Sequence, residues 1–210
     1  MRPSYQSLRR LVLGLRPTPT RAYFESWDRR SEDPWGHLAN ERSRYEWMLA
    51  ALDGRRFARA LDVGCSLGAF TEMLAPRCDE VLGVDISEIS VARARDRLAD
   101  IPHAHVQRRT LPAEMPSGPF DLMVCADVMC YWTAAELRAA LPEIEAALAP
   151  GGTLLLVHYR PKVRVQPLRG DEVHDIVARH TLLAHAGHDE RGEHRLDMYR
   201  DPGLASSHEV

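Results

Sequence analysis

Lysine is all but missing. Lys162 is the only one among 210 residues, so nearly every basic side chain is an arginine, which reads as compositional bias of the genome and not as function. The four cysteines (Cys65, Cys78, Cys125 and Cys130) include no C-x-x-C pair. That removes a zinc-ribbon spacing and, in a chain of this length, argues against a disulfide framework. Ten histidines form neither H-E-x-x-H nor any other helix-face ligand pattern, so no metal is expected. No apolar run approaches the roughly 20 residues that a membrane-spanning helix needs. The short run Leu11 to Leu15, flanked by Arg9, Arg10 and Arg16, is too brief for a secretory signal. With a formal net charge of -3 there is no bulk electrostatic pull on nucleic acid. The expectation is a cytoplasmic protein with neither membrane nor nucleic acid as partner; its oligomeric state is unread.

Hydrophobic content of 45% and charged content of 27% suit one soluble globular domain able to bury a core. Residues 1–20, ending in "RPTPT", read as a basic, flexible arm. Residues 21–54 read as two helical pieces about the Asp33-Pro34 break, with Tyr45, Met48, Leu49 and Leu52 at helical spacing and Gly54 as a stop. From residue 58 to 200, strands and helices alternate. Strands are expected over "ARALDVG" (58–64), "EVLGVD" (80–85), "HAHVQRR" (103–109), "FDLMVCAD" (120–127) and "GGTLLLVHY" (151–159). Helices are expected over 67–75, from the cap Ser87 to about 98, from the capping box Thr133/Glu136 to about 148, and over 170–180. Two strand-like runs around "DERGE" predict a terminal hairpin. The sum is an α/β, Rossmann-like, doubly wound sheet of seven mostly parallel strands with an antiparallel hairpin at its end.

The chemistry concentrates in "ALDVGCSLGAFTEML" (60–74), a strand, a glycine turn and a helix. A dinucleotide fingerprint is G-x-G-x-x-G, its middle glycine admitting the pyrophosphate. Here the turn reads Gly64-Cys65-Ser66-Leu67-Gly68, with Ser66 at that middle place, and Asp62 stands just before it. A carboxylate there repels a pyrophosphate and suits a cationic ligand such as S-adenosylmethionine, which carries a sulfonium and an ammonium group. Asp85 ends the second strand about twenty residues on, where an acid can accept both ribose hydroxyls.

The segment from Tyr23 to Tyr199 resembles the class I S-adenosylmethionine-dependent methyltransferases, in particular the nodulation protein S type, which N-methylates a deacetylated chito-oligosaccharide. The residues that carry the likeness are "DPW" (33–35), "LDVGCSLGAFTEMLAPRCDEVLGVDIS" (61–87), "LAPGGTLLLVHYR" (148–160) and "GDEVHDI" (170–176). The resemblance implies that Asp62, Gly64 and Gly68, with Cys65 and Ser66 between them, line the methionine end of the cofactor. It places Asp85 on the ribose and Ile86 on the adenine. Thr110 stands where such families usually put an acid for the adenine amino group, and Leu111 can offer a backbone donor instead. Ala126, at the close of the fourth strand, completes the cofactor set, and Trp35 is the preferred residue to close over it.

At the carboxyl ends of the strands, the clusters "ADVMCYW" and "HYR" face the acceptor. Tyr23, Trp27, Tyr131, Trp132 and Tyr159 are its candidate contacts. His158 is the candidate base, and Asp127 the group that orients an ammonium. His174, on the last helix, reads as structural. N-methylation of an amine on an amino sugar, oligosaccharide or natural-product scaffold is the leading reading. O-methylation with His158 as base, an NAD-dependent oxidoreductase and a non-catalytic relative that binds cofactor remain as alternatives.

Overall fold

A computed structural model describes residues 19–33 and 41–203. Most of the arm at 1–20, and Trp35, therefore lie outside the described residues. The elements are α1 (Arg21–Asp28), α2 (Arg42–Ala51), β1 (Phe57–Val63), α3 (Ala69–Leu74), β2 (Cys78–Asp85), α4 (Glu88–Arg97), β3 (Ala104–Arg108), β4 (Phe120–Ala126), α5 (Ala134–Ala147), β5 (Leu148–Tyr159), α6 (Gly170–His180), β6 (Ala184–Arg191) and β7 (His194–Arg200). Both predicted caps form. The Ser87 hydroxyl accepts the Ser90 amide at the start of α4, and Thr133 and Glu136 close a reciprocal box on α5.

The strands make one sheet in the order β3-β2-β1-β4-β5-β7-β6. The five strands β1 to β5 run parallel, and β7 joins β5 and β6 antiparallel. The chain winds outward from β1 to β3 and then returns to lay β4 and β5 on the other side. A crevice opens where the winding reverses, at the carboxyl ends of β1 and β4. No helix among the described residues is long and apolar enough to cross a membrane.

Two cores sandwich the sheet, and strand alternation sorts the side chains between them. Leu61, Val63, Met123, Cys125, Leu154 and Leu156 are buried on the face covered by α5 and α6. Ala60, Leu122, Val124, Leu155 and Val157 are buried on the face covered by α2 and α3. The same period sends two polar residues into the helical layers: Asp62 follows Ala60 towards α3, and His158 follows Leu156 towards α6.

Candidate active site

A cleft of about 440 Å³ lies over the carboxyl ends of β1, β2, β4 and β5, bordered by α1, α2 and the start of β7. Its floor is backbone. Gly64 takes φ +74°, and a Cβ placed there would stand 2.9 Å from Val128 Cγ2. Ser66 (φ +48°) and Asp127 (φ +51°) also adopt the left-handed conformation that side chains avoid. Among the described residues only Asp53 shares it without being glycine, so two of three such positions line this cleft. Strain of this kind collects where geometry serves a ligand.

At one end, Asp85 accepts the Ser66 amide at 3.0 Å and the Ser87 amide at 2.8 Å. Burial pushes its carboxyl up to about 6, against the pull of those amides. Asp28, on α1, turns its carboxylate to the same corner and takes the Ser87 hydroxyl on Oδ2. Its Oδ1 and the Ser66 hydroxyl are buried without a partner among the described residues. Ile86, Leu111 and Val84 supply the apolar wall beside them.

At the other end, Asp127 Oδ1 accepts the Tyr159 amide at 2.7 Å, and Oδ2 pairs with Arg44, a buried guanidinium on α2 that also pairs with Glu41. Burial opposes the charge on Asp127 most strongly, but Arg44, His158, the Tyr159 amide and His194 together overcome it, and the carboxyl is held below its usual range. His194 Nε2 lies 3.8 Å from Asp127 Oδ2, and burial lowers its pKa despite that neighbour. Tyr131, Trp132 and Tyr159 complete this end, with Phe24 edge-on to Tyr131 at 5.0 Å between ring centres.

The cleft thus gathers Gly64, Ser66, Asp85, Ile86, Leu111, Ala126, Asp127, Tyr131, Trp132 and Tyr159 from the expected residues. Others it does not. Asp62 points into the sheet's helical layer, where its Oδ2 accepts the Thr71 hydroxyl at 2.6 Å and burial raises its carboxyl to about 6. That bond ties β1 to α3, and Asp62 is not among the residues that line the cleft. Cys65 is buried against Gly83, which leaves no room for a Cβ at that site. Gly68 starts α3 at φ +75° and lets α4 approach: a Cβ would stand 3.1 Å from Ala94 Cβ. Thr110 turns its hydroxyl to Arg108 and its amide to Glu114, outside the cleft.

His158 is corrected most sharply. It is 0% exposed, and its Nδ1 meets His174 Nε2 at 3.2 Å, away from any acceptor. His174 Nδ1 in turn meets Asp197 Oδ2 at 2.6 Å, so the pair belongs to a buried chain that ends on β7. A base must reach the acceptor's proton, and His158 does not. On α1, the aromatic that faces the cleft is Phe24. Tyr23 stacks edge-on against it, and Trp27, 39% exposed, sits under Arg30. Asp28, Glu41, Arg44, Arg109, Gln166 and His194 are among the polar cleft residues that sequence reasoning missed. Phe24 and Asp28, four apart on one helix, were the local signal for one of them.

A model of a methyltransferase domain matches residues 61–154, from β1 into β5. A crystal structure of a Pseudomonas syringae protein assigned to the methyltransferases is 36% identical, with a TM-score of 0.67, over 76% of this chain and 97% of that one. The chain belongs to the S-adenosylmethionine-dependent methyltransferase family. The N-methyltransferase NodS from Bradyrhizobium japonicum WM9, solved with S-adenosyl-L-homocysteine, aligns at a TM-score of 0.76 and 26% identity over 85% of this chain and 98% of that one. Nodulation protein S of Sinorhizobium fredii is 35% identical over 129 residues, and the match spans about 60% of each chain's length.

The residues present fit the family's cofactor, S-adenosyl-L-methionine. Among the described residues, Asp28 Oδ1, Ser66 Oγ and Gln166 Oε1 are buried oxygens of cleft-lining side chains that lack the partners buried polar atoms require. The glycine cradle at Gly64 leaves space that a side chain would fill. A dinucleotide fits worse: its fingerprint needs glycine at the middle of the turn, where this chain has Ser66.

Proposed function

We propose that the protein transfers a methyl group from S-adenosyl-L-methionine to a small-molecule amine, with an amino sugar or an oligosaccharide carrying a free amine as the favoured acceptor. The observation that carries the reading is the division of the cleft. An acidic, apolar-walled nucleoside end (Asp85, Asp28, Ile86, Leu111) faces an aromatic end that holds Asp127, Tyr131, Tyr159 and His194. The likeness to NodS, an N-methyltransferase by its description, supports nitrogen as the acceptor atom.

Asp85 would accept the ribose hydroxyls, Ile86 and Leu111 would flank the adenine, and Gly64 and Ser66 would border the amino-acid end. Arg44, already paired with Asp127 and Glu41, and Arg109 are the arginines that line the cleft. When bound, the cofactor supplies an electrophilic methyl on a sulfonium. The protein's part is to hold an amine in line with it, a proximity effect worth several orders of magnitude. The amine must arrive as the free base, because a proton consumes the lone pair that forms the new bond. His194 Nε2, kept neutral near pH 7 by burial, is placed to take that proton, and Asp127 at 3.8 Å offsets the charge it then carries. The Arg44 pair and the Tyr159 amide fix Asp127, so it is a rigid acceptor for an N–H of the substrate. Tyr131 offers an aromatic wall to a sugar, backed by the buried Trp132.

The test is transfer from methyl-labelled cofactor to glucosamine-type amines, read by release of S-adenosylhomocysteine and by the mass of the product. The expected result is one added methyl on the free amine and none on its N-acetylated form. Methylation of the acetylated form alone would move the reaction to oxygen.

A further inference from the structure

Asp28 is 1% exposed and still borders the cleft. One oxygen, Oδ2, accepts the Ser87 hydroxyl; the other, Oδ1, has no partner among the described residues. Arg93 spends its guanidinium on the backbone carbonyls of Asp28 and Ser31 and not on the carboxylate. No ion pair reaches that carboxylate among the described residues. A buried acceptor left in that state costs free energy unless a ligand or water completes it.

Ser87 ties this oxygen to the cofactor corner. Its amide donates to Asp85 Oδ1 at 2.8 Å while its hydroxyl donates to Asp28, so a single residue carries both carboxylates. The two are close enough that the charge on Asp28 helps raise the Asp85 carboxyl. Asp85 already accepts the amides of Ser66 and Ser87, which occupies part of its lone-pair capacity. A ribose brings two hydroxyl donors to this corner. Asp28 Oδ1 is an acceptor open to one of them, and a pair of adjacent carboxylates suits a group that carries two donors, as a ribose diol does.

We infer that Asp28 is a second ribose-reading carboxylate, accepting one hydroxyl of the nucleoside while Asp85 accepts the other, so that cofactor binding holds α1 against α4. The inference rests on the cofactor reading above. Its test therefore begins with the wild-type protein and S-adenosylhomocysteine, by calorimetric titration, followed by the 2′-deoxy and 3′-deoxy forms of that ligand. The wild type should bind the parent and lose about tenfold or more on each deletion. Asp28→Ala and Asp28→Asn should keep the penalty for one missing hydroxyl and abolish it for the other. Ser87→Ala, which removes the docking bond and leaves the carboxylate, should retain both penalties. Equal weakening of all three ligands in the Asp28 variants, or no change, would overturn the inference and leave Asp28 as a helix anchor. Asp28→Asn keeps an oxygen for Ser87, so it serves if Asp28→Ala fails to fold. Failure of the wild type to bind S-adenosylhomocysteine at all would remove the cofactor reading first, and this inference with it.

Discussion

Asp85→Ala is expected to weaken S-adenosylhomocysteine by about 1.5–3 kcal/mol, a 10- to 150-fold rise in Kd, with little loss of folding stability. The carboxylate is half-buried and its carboxyl is pushed up to about 6 by that burial, so the fold already bears a cost for its charge. Removing it sheds the cost together with the bonds to Ser66 and Ser87. The ligand has no such compensation: a hydroxyl that donated to a charge is left facing a methyl group. The ionised form is the better acceptor, so affinity in the wild type should fall as pH drops through 6. In Asp85→Ala that dependence should shrink. Unchanged affinity in the variant would take Asp85 off the ribose, and an unaltered pH profile would assign the titration to another group.

Below pH 6.5 the protein is expected to lose stability through His158. In the fold this imidazole is fully buried and its pKa is lowered to about 3, chiefly by burial and then by His174, against the opposing pull of Asp127. Arg44 and His194 lower it further. The unfolded chain takes up the proton from about pH 6.5, whereas the native one refuses it until near pH 3. The stability associated with a neutral His158 is therefore complete above 6.5. It declines at about 1.4 kcal/mol per pH unit below that. Asp62 and Asp85 act in the opposite direction: their carboxyls are raised to about 6, so the native state takes up their protons first as pH falls. Total stability mixes these signs, and the informative quantity is a difference. His158→Gln should destabilise at pH 7, where it disturbs the contact with His174, and that deficit should shrink by about 3 kcal/mol at pH 4 in urea unfolding. A difference that does not change with pH would mean that His158 is protonated in the fold or hydrated in a way its burial does not show.

Strand alternation was present in the sequence and decides two placements that motif reasoning misses. In "RALDVG" the period of two that buries Leu61 and Val63 on one face must send Asp62 to the other, against α3. In "LLLVHY" the period that buries Leu154 and Leu156 carries His158 with them towards α6. A residue near a strand's carboxyl end belongs to the cleft only when its parity allows it. Asp85, the last residue of β2, and Asp127, just past the end of β4, both line the cleft. The fold was legible because its signals are local: apolar runs, the Ser87 cap, the Thr133/Glu136 box and the turn at Gly192. Arg44 was not legible. Its partner Asp127 is 83 positions away, and on α2 it looks like any surface arginine until the helix packs. His194 reaches the cleft only because β7 inserts antiparallel beside β5, placing it opposite Tyr159.

The account stands or falls on which adenosine-bearing ligand the glycine turn accepts. Calorimetric titration of the purified protein with S-adenosylhomocysteine, with NAD as control, addresses this directly. Binding of the first in the micromolar range, with no heat from the second, is the predicted result. Binding of NAD, or of neither ligand, would contradict it, leaving the fold in place and the methyl-transfer reading without its cofactor.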